Sequence, residues 1–371
     1  MGRIIIKGKE FTFEQIRNGQ WPAQEPYFQT SLSFCHEWLN GKHLFELQTS
    51  GSTGTPKQIM VTRAQMSSSA KATRDFFNIP VQANLLCCLN TAMIAGKMML
   101  VRAMEWDSIL YIVEPQSNPL LSIDPVQQFV FATMVPLQLE TCLHDAHTAQ
   151  MLTHIVHLLI GGAPIADSLR HKAALLPGNL YQTYGMTETV SHIALANLKA
   201  DGALIYELLP GVACRQDEEE KLAVKAPMTN DRWIWTNDIV EMLSDRSFIW
   251  KGRADFTINT GGVKVQPEEV EAAAVDIMAV HFPGQRYFVT ALPDVRLGQK
   301  VILLVEAEPV AEPKVKEVLH QLKTKLSAYH APKDLLFVPN FAETASHKVN
   351  RDASLARWMA SQAENARDPN R

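Results

Sequence analysis

The chain has 371 residues, 46% of them hydrophobic and 20% charged, with a formal net charge of −4. That length exceeds one compact core and favours two domains, while the mild negative charge leaves no electrostatic footprint for nucleic acid. The longest apolar runs, such as HIVHLLIGG, stop short of a membrane span, and the start MGRIIIKGKEF has no signal-peptide core, so a cytoplasmic protein is expected.

In chain order, HLFELQ alternates as a strand up to residue 48, and TRAQMSSSAKATRDFF reads as a helix from residue 62. Further strands are expected at 85–90, 129–135, 154–161 and 179–185, with helical stretches between them, for instance 164–176. Such alternation argues for parallel sheets covered by helices. From about 203 to 250 the pattern shifts to short strands and turns, consistent with a small antiparallel or barrel-like subregion. Near Asp255 a boundary is expected. Beyond it come a glycine turn in FTINTGG, a helix opened by Pro267, Glu268 and Glu269, and the strands RYFVTAL and KVILLVEAE. A helix over EPKVKEVLHQLKTKL and a last strand DLLFVP complete a small α+β unit, and the polar tail SQAENARDPNR is expected to fray. The fold class is therefore α/β: a large N-terminal domain over 1–254 and a small α+β C-terminal domain over 255–371.

The five cysteines include no CxxC pair, and Cys87 and Cys88 lie together in an apolar run, which reads as reduced core thiols. The pairs His144/His147 and His154/His157 have superficially metal-like spacing. No cysteine or carboxylate is placed to complete a site, so they read as core or surface histidines.

The most informative stretch is TSGSTGTPK at 49–57. Gly51 and Gly54 let the backbone curl until successive N–H groups face one concavity, an anion-binding nest. Thr49, Ser50, Ser52 and Thr53 add hydroxyl donors, and Lys57 adds a cation able to reach a phosphate. Pro56 before the lysine, with no Ser or Thr after it, departs from the nucleoside-triphosphatase loop. A Ser/Gly linker of this composition has no reason to end in Pro-Lys. A second cluster is YQTYGMTETVSH at 181–192, where a carboxylate and a hydroxyl follow a strand and a glycine.

The first stretch resembles the phosphate loop of the adenylate-forming enzymes: acyl- and aryl-CoA ligases, luciferases and peptide-synthetase adenylation domains. The second resembles their YGxTE motif. The resemblance implies Tyr184 and Gly185 near the adenine, Thr187 on the α-phosphate and Glu188 on Mg²⁺. Gly161, Gly162 and Ala163 resemble the glycine segment lining the adenine side. Asp238 fits the residue that accepts from both ribose hydroxyls, with Thr236-Asn237-Asp238 standing where the family usually has Thr-Gly-Asp. Arg253 fits the arginine that helps bind ribose and phosphate, and Asp255 the hinge about which a mobile small domain rotates. In TASHKVNR, Lys348 fits the lysine that enters during adenylation, although His347 replaces the customary glycine before it.

Two departures remain. Gly96 in NTAMIAGK aligns with an aromatic-His-x-x-Gly segment, but Met93 holds the histidine position, and only 48 residues precede the phosphate loop. Part of the large domain is therefore expected to be trimmed. In motif order the resemblance runs from about 44 to 351. Within it, YGMTETVSHIAL and MVPLQL look most like o-succinylbenzoate–CoA ligases of menaquinone synthesis. The implied reaction uses ATP, Mg²⁺ and coenzyme A to adenylate a carboxylic acid and pass its acyl group to the thiol. An acid with a second carboxylate calls for a donor or cation deep in the acyl pocket, and Thr189, Ser191, His192, Lys97 and Arg102 are the candidates. A CoA ligase for another acid, an adenylation enzyme loading a carrier protein and a non-catalytic nucleotide-binding module stay open. So does the oligomeric state, a homodimer included.

Overall fold

The computed structural model describes residues 1–48, 58–343 and 349–367. They divide into two compact units. Residues 1–48, Gln58–Thr236 and Glu241–Trp250 form the first, and Asn237–Val240 with residues 251–343 and 349–367 form the second. Among the described residues no helix is long and apolar enough to cross a membrane.

The first unit opens with β1 (Arg3–Ile6), β2 (Lys9–Thr12), α1 (Phe13–Arg17), α2 (Pro26–Leu39) and the antiparallel pair β3 (Leu44–Gln48) and β4 (Gln58–Thr62). It continues with α3 (Arg63–Phe77), β5 (Asn84–Cys87), α4 (Ile94–Glu105), β6 (Ile109–Ile112), β7 (Phe129–Met134), α5 (Pro136–His144) and α6 (Ala146–Leu152). Next come β8 (Ile155–Ile160), α7 (Asp167–Ala174), β9 (Asn179–Gly185), β10 (His192–Asn197), β11 (Ile205–Leu208), β12 (Ala213–Gln216) and β13 (Lys221–Lys225). The division between the units falls within β14 (Ile234–Ser244) and β15 (Ser247–Arg253).

One sheet runs in the order β12-β13-β14-β15-β11-β10-β9-β8-β7-β5-β6-β1-β2. Its centre, from β1 through β6, β5, β7 and β8 to β9, is parallel. These strands read as continuous apolar runs because helices cover a parallel sheet on both faces. The chain reverses between β9 and β10, which pair antiparallel, and β11 follows in the same sense. The short strands expected over 203–250 thus extend the main sheet. The apolar triplet near the N-terminus becomes β1, a parallel partner of β6, and its hairpin with β2 closes that edge.

Helix starts follow local chemistry. Thr62 caps α3 reciprocally with Gln65: the Gln65 N–H donates to the threonine hydroxyl, and the Thr62 N–H to the glutamine side chain at 2.9 Å. Such a box contributes about 1 kcal/mol. It holds α3 directly after β4, a strand the loop composition had hidden.

The second unit holds β16 (Ile258–Thr260), β17 (Val263–Val265), α8 (Pro267–His281), β18 (Tyr287–Asp294), β19 (Gly298–Glu306), α9 (Glu312–Lys325), β20 (Asp334–Val338) and α10 (Arg351–Arg367). Here β19 alternates cleanly. Val301, Leu303 and Val305 join Val270, Ala274, Met278, Val318 and Leu322 of α8 and α9, while Leu304 joins Phe288, Val338 and Phe341. Burial of both faces makes β19 the hub, paired with β18, β20 and β16.

Candidate active site

The turn from β9 to β10 gathers most of the candidates of the first unit. Tyr184, one residue before the end of β9, is half-buried, its ring edge-on to Phe248 (centroids 5.2 Å apart) and Tyr206 (5.8 Å). A side chain on Gly185 would collide with the Ser191 carbonyl and the His192 backbone, so glycine is required where the two arms of the turn touch. Thr187 and Glu188 occupy a single 3-10 turn, Thr187 half-buried and Glu188 exposed. The buried Thr189 hydroxyl bonds the Met186 N–H (3.0 Å), the Met186 carbonyl (3.0 Å) and the Ser191 carbonyl (2.9 Å). It is spent on bracing the turn rather than presented to a ligand. Val190 follows at φ +67°, a conformation that β-branched residues rarely adopt, and its side chain is fully buried. The surrounding contacts over-determine this strain, which aims Ser191 and His192 inward.

Ser191, His192 and Arg102 come together. Arg102, on α4, is 2% exposed; its Nη2 donates to the Ser191 hydroxyl at 2.9 Å, and its guanidinium lies over the Phe131 ring at 5.8 Å. Its Nε has no hydrogen-bond partner, and no carboxylate pairs with the group among the described residues. Burial brings its pKa down to about 10, so it stays charged at neutral pH. His192 Nδ1 lies 3.4 Å from the Ser191 hydroxyl, and its Nε2 lies 3.1 Å from the hydroxyl of Thr73 on α3. Burial first, and then the Arg102 charge, hold this imidazole well below its usual pKa and keep it neutral. Lys97 stands apart, over the Phe34 ring of α2 at 5.4 Å, with its pKa lowered by burial. Met93 is the N-cap of α4 and 41% exposed.

Gly161, Gly162 and Ala163 follow β8. The Gly161 N–H donates to the Met134 carbonyl at 3.0 Å. Gln182, buried in β9, clamps this segment by donating to the Ala163 carbonyl (3.0 Å) and accepting from the Ile165 N–H (3.1 Å). Sequence reasoning passed over Gln182 and Thr73. The only signal was a lone polar residue on a core-facing position, which in a buried strand or helix must find a partner.

In the second unit, Asp238 is 9% exposed and lies 3.9 Å from Arg253, while Arg253 donates to Asp255 at 2.7 Å. Burial alone would lower the Arg253 pKa; the bond and charge of Asp255, with Asp238 and Glu268, outweigh it and raise the value. A cluster not anticipated lies nearby. Arg351 donates to Glu271 at 2.9 Å and to the Val289 carbonyl at 3.2 Å, with Glu268 3.9 Å away. Burial pushes the Glu271 carboxyl up to about 7 against the opposing pull of Arg351.

The phosphate-loop candidates Thr49, Ser50, Gly51, Ser52, Thr53, Gly54 and Lys57 lie outside the described residues, as do His347 and Lys348. Among the described residues there is no group of three or more His, Cys, Asp or Glu side chains able to hold a metal. Glu188 alone fits magnesium, an ion that keeps its waters and needs only one or two protein carboxylates beside substrate phosphates.

The glycine segment and the Tyr-Gly-Met-Thr-Glu turn follow the parallel strands β8 and β9 at their carboxyl ends, where open α/β sheets bind ligands. The sequence profile of the AMP-binding enzymes matches residues 36–226, and the chain belongs to that family. A probable 2-succinylbenzoate–CoA ligase of Mycobacterium tuberculosis is 29% identical, the alignment covering 85% of this chain and 84% of the relative. A crystal structure of an acyl-CoA synthetase (AMP-forming)/AMP-acid ligase II-like protein from Dyadobacter fermentans is 37% identical, with a TM-score of 0.62, covering 92% of this chain and 97% of that one. The Bacillus subtilis O-succinylbenzoate coenzyme A synthetase, solved with ATP and magnesium, has the same fold. Its TM-score is 0.70 at 20% identity, covering 84% of this chain and 69% of that one.

Proposed function

We propose that this enzyme is an AMP-forming 2-succinylbenzoate–CoA ligase acting in menaquinone biosynthesis. The succinyl carboxylate attacks the α-phosphorus of ATP, giving the acyl-adenylate and pyrophosphate. The CoA thiol then attacks the acyl carbon, and AMP leaves. Thr187 donates to the α-phosphate, and the 49–57 loop with Lys57 carries the remaining phosphates. Glu188 would hold magnesium, which would supply charge neutralisation at the phosphates. Asp238 takes the ribose hydroxyls, Tyr184 and Gly161–Ala163 line the adenine, and Arg253 assists on ribose and phosphate. Lys348 meets the attacking carboxylate in the first half-reaction, and Asp255 serves as the hinge that withdraws it for the second.

One observation carries the substrate assignment. Arg102 is a fully buried guanidinium with no carboxylate partner among the described residues, bonded to Ser191 next to the Thr187–Thr189 turn. A buried charge left uncompensated costs several kcal/mol unless a ligand supplies the counter-charge. 2-Succinylbenzoate supplies one, because its ring carboxylate is not consumed in the reaction. The name of the Mycobacterium relative supports the same acid. The broader name of the Dyadobacter protein favours a second reading, a CoA ligase for another acid.

The test is AMP release with ATP, Mg²⁺, CoA and 2-succinylbenzoate, beside a panel of benzoates and fatty acids. Turnover confined to 2-succinylbenzoate is expected. Turnover with a monocarboxylate alone discards the substrate assignment and keeps the two-step chemistry.

A further inference from the structure

Four side chains form an unbroken row from Arg102 to the backbone of α3, and one assignment of protons satisfies every link in it. The Thr73 hydroxyl lies 3.1 Å from the Ser69 carbonyl, which can only accept, so the threonine proton points there. In that assignment Thr73 offers a lone pair to His192 Nε2 at 3.1 Å, and that nitrogen carries the imidazole proton. A neutral ring protonated at Nε2 is an acceptor at Nδ1 and takes the Ser191 hydroxyl proton across 3.4 Å. Ser191 in turn offers its lone pair to Arg102 Nη2 at 2.9 Å. Every donor in the row points away from Arg102, and every acceptor in it is neutral. Nη2 is therefore held by an acceptor without negative charge, while the guanidinium keeps its full charge and an unpartnered Nε.

We infer that His192, locked as the Nε2–H tautomer between Thr73 and Ser191, is a positioning residue that orients Arg102 for the second carboxylate of the substrate. The inference rests on the proposed role of Arg102. Asp or Glu in place of the histidine would accept from Ser191 but could not donate to Thr73, and its charge would cancel the one that selects a diacid. A neutral imidazole aligns the guanidinium and leaves its charge intact. A ring protonated at both nitrogens would donate to Ser191 and repel Arg102, and burial prevents that form.

The test compares 2-succinylbenzoate with 4-oxo-4-phenylbutanoate, the same acid without its ring carboxylate. His192→Phe is expected to raise KM for the diacid about ten- to thirtyfold with kcat within about twofold, so the diacid-to-monoacid ratio of kcat/KM collapses. His192→Asn, whose side-chain oxygen replaces Nδ1 as acceptor, is expected to restore most of that ratio. A long-range ¹⁵N–¹H correlation on histidine-labelled protein needs no turnover and should show His192 protonated at Nε2 only. An equal effect of His192→Phe on both acids, no rescue by asparagine, or a proton on Nδ1 overturns the inference. Arg102→Met separates the two claims. If it leaves the diacid preference intact, the carboxylate reading falls and the positioning role falls with it. If it abolishes the preference while His192→Phe keeps it, only the positioning role falls.

Discussion

Arg102 in the first unit is buried and Arg351 in the second half-buried, and their surroundings differ in kind. Arg351 meets Glu271 at 2.9 Å and Glu268 at 3.9 Å, so its charge is balanced within the unit that holds it. Arg102 meets a serine hydroxyl, a methionine sulfur and an aromatic face. The first arrangement ties α8, β18 and the start of α10 together; the second leaves a charge over. A guanidinium balanced by carboxylates is a structural tie, whereas one surrounded by neutral acceptors is prepared for an anion that arrives later.

Methionine substitution at each position should therefore give opposite signs. Arg351→Met strands Glu271 and Glu268 and is expected to destabilise the second unit by about 3 kcal/mol. The readout is faster hydrogen exchange at the Val289 amide, which donates to Glu271 at 2.7 Å. The penalty should be smallest at acid pH, where Glu271 is protonated. Arg102→Met removes an unbalanced buried charge and is expected to stabilise the ligand-free protein by about 1–2 kcal/mol, read as a higher unfolding temperature of the first unit, while diacid turnover is lost. A lower unfolding temperature would mean that the charge is already balanced and would erase the contrast.

A third effect concerns pH. On folding, the Glu271 carboxyl rises from 4.5 to about 7, so the folded chain binds more proton than the unfolded one between those values. The stability it contributes is complete below about 4.5 and is lost as pH climbs through about 7. The slope is at most about 1.4 kcal/mol per pH unit. Glu271→Gln should flatten that window; an unchanged slope would assign the titration elsewhere.

Much of this was legible in the sequence, for identifiable reasons. The runs LLCC, FVFATM and IVHLLI announce a parallel sheet because both of its faces are covered, and the Thr-Glu turn after Gly185 stands where motif order places it. Lys97 and Arg102 looked equivalent as nearby cations. Five residues on a helix turn through about 140°, which sends one toward α2 and the other toward β7. Helical periodicity alone could have separated them. What Thr73 and Arg351 pair with was beyond reach, because each partner is distant in sequence: 119 residues from Thr73 to His192 and 80 from Arg351 to Glu271. The positive φ of Val190 had no signal at all, since nothing in its side chain favours that backbone.

The long sheet has one more consequence. A row of strands this wide would be a template for uncontrolled growth if its margins were long and apolar, because unpaired N–H and C=O groups recruit strands from other chains. Both margins are only four residues long: β2 exposes Lys9 and Glu10, and β12 exposes Arg215 and Gln216. Any strand docking there would have to bury charge for a handful of hydrogen bonds. The charged outer strand β2 and the short β12 thus act as gatekeepers against aggregation, and removing residues 1–12 would expose β1's parallel partner β6, ILYI, as a far stickier edge.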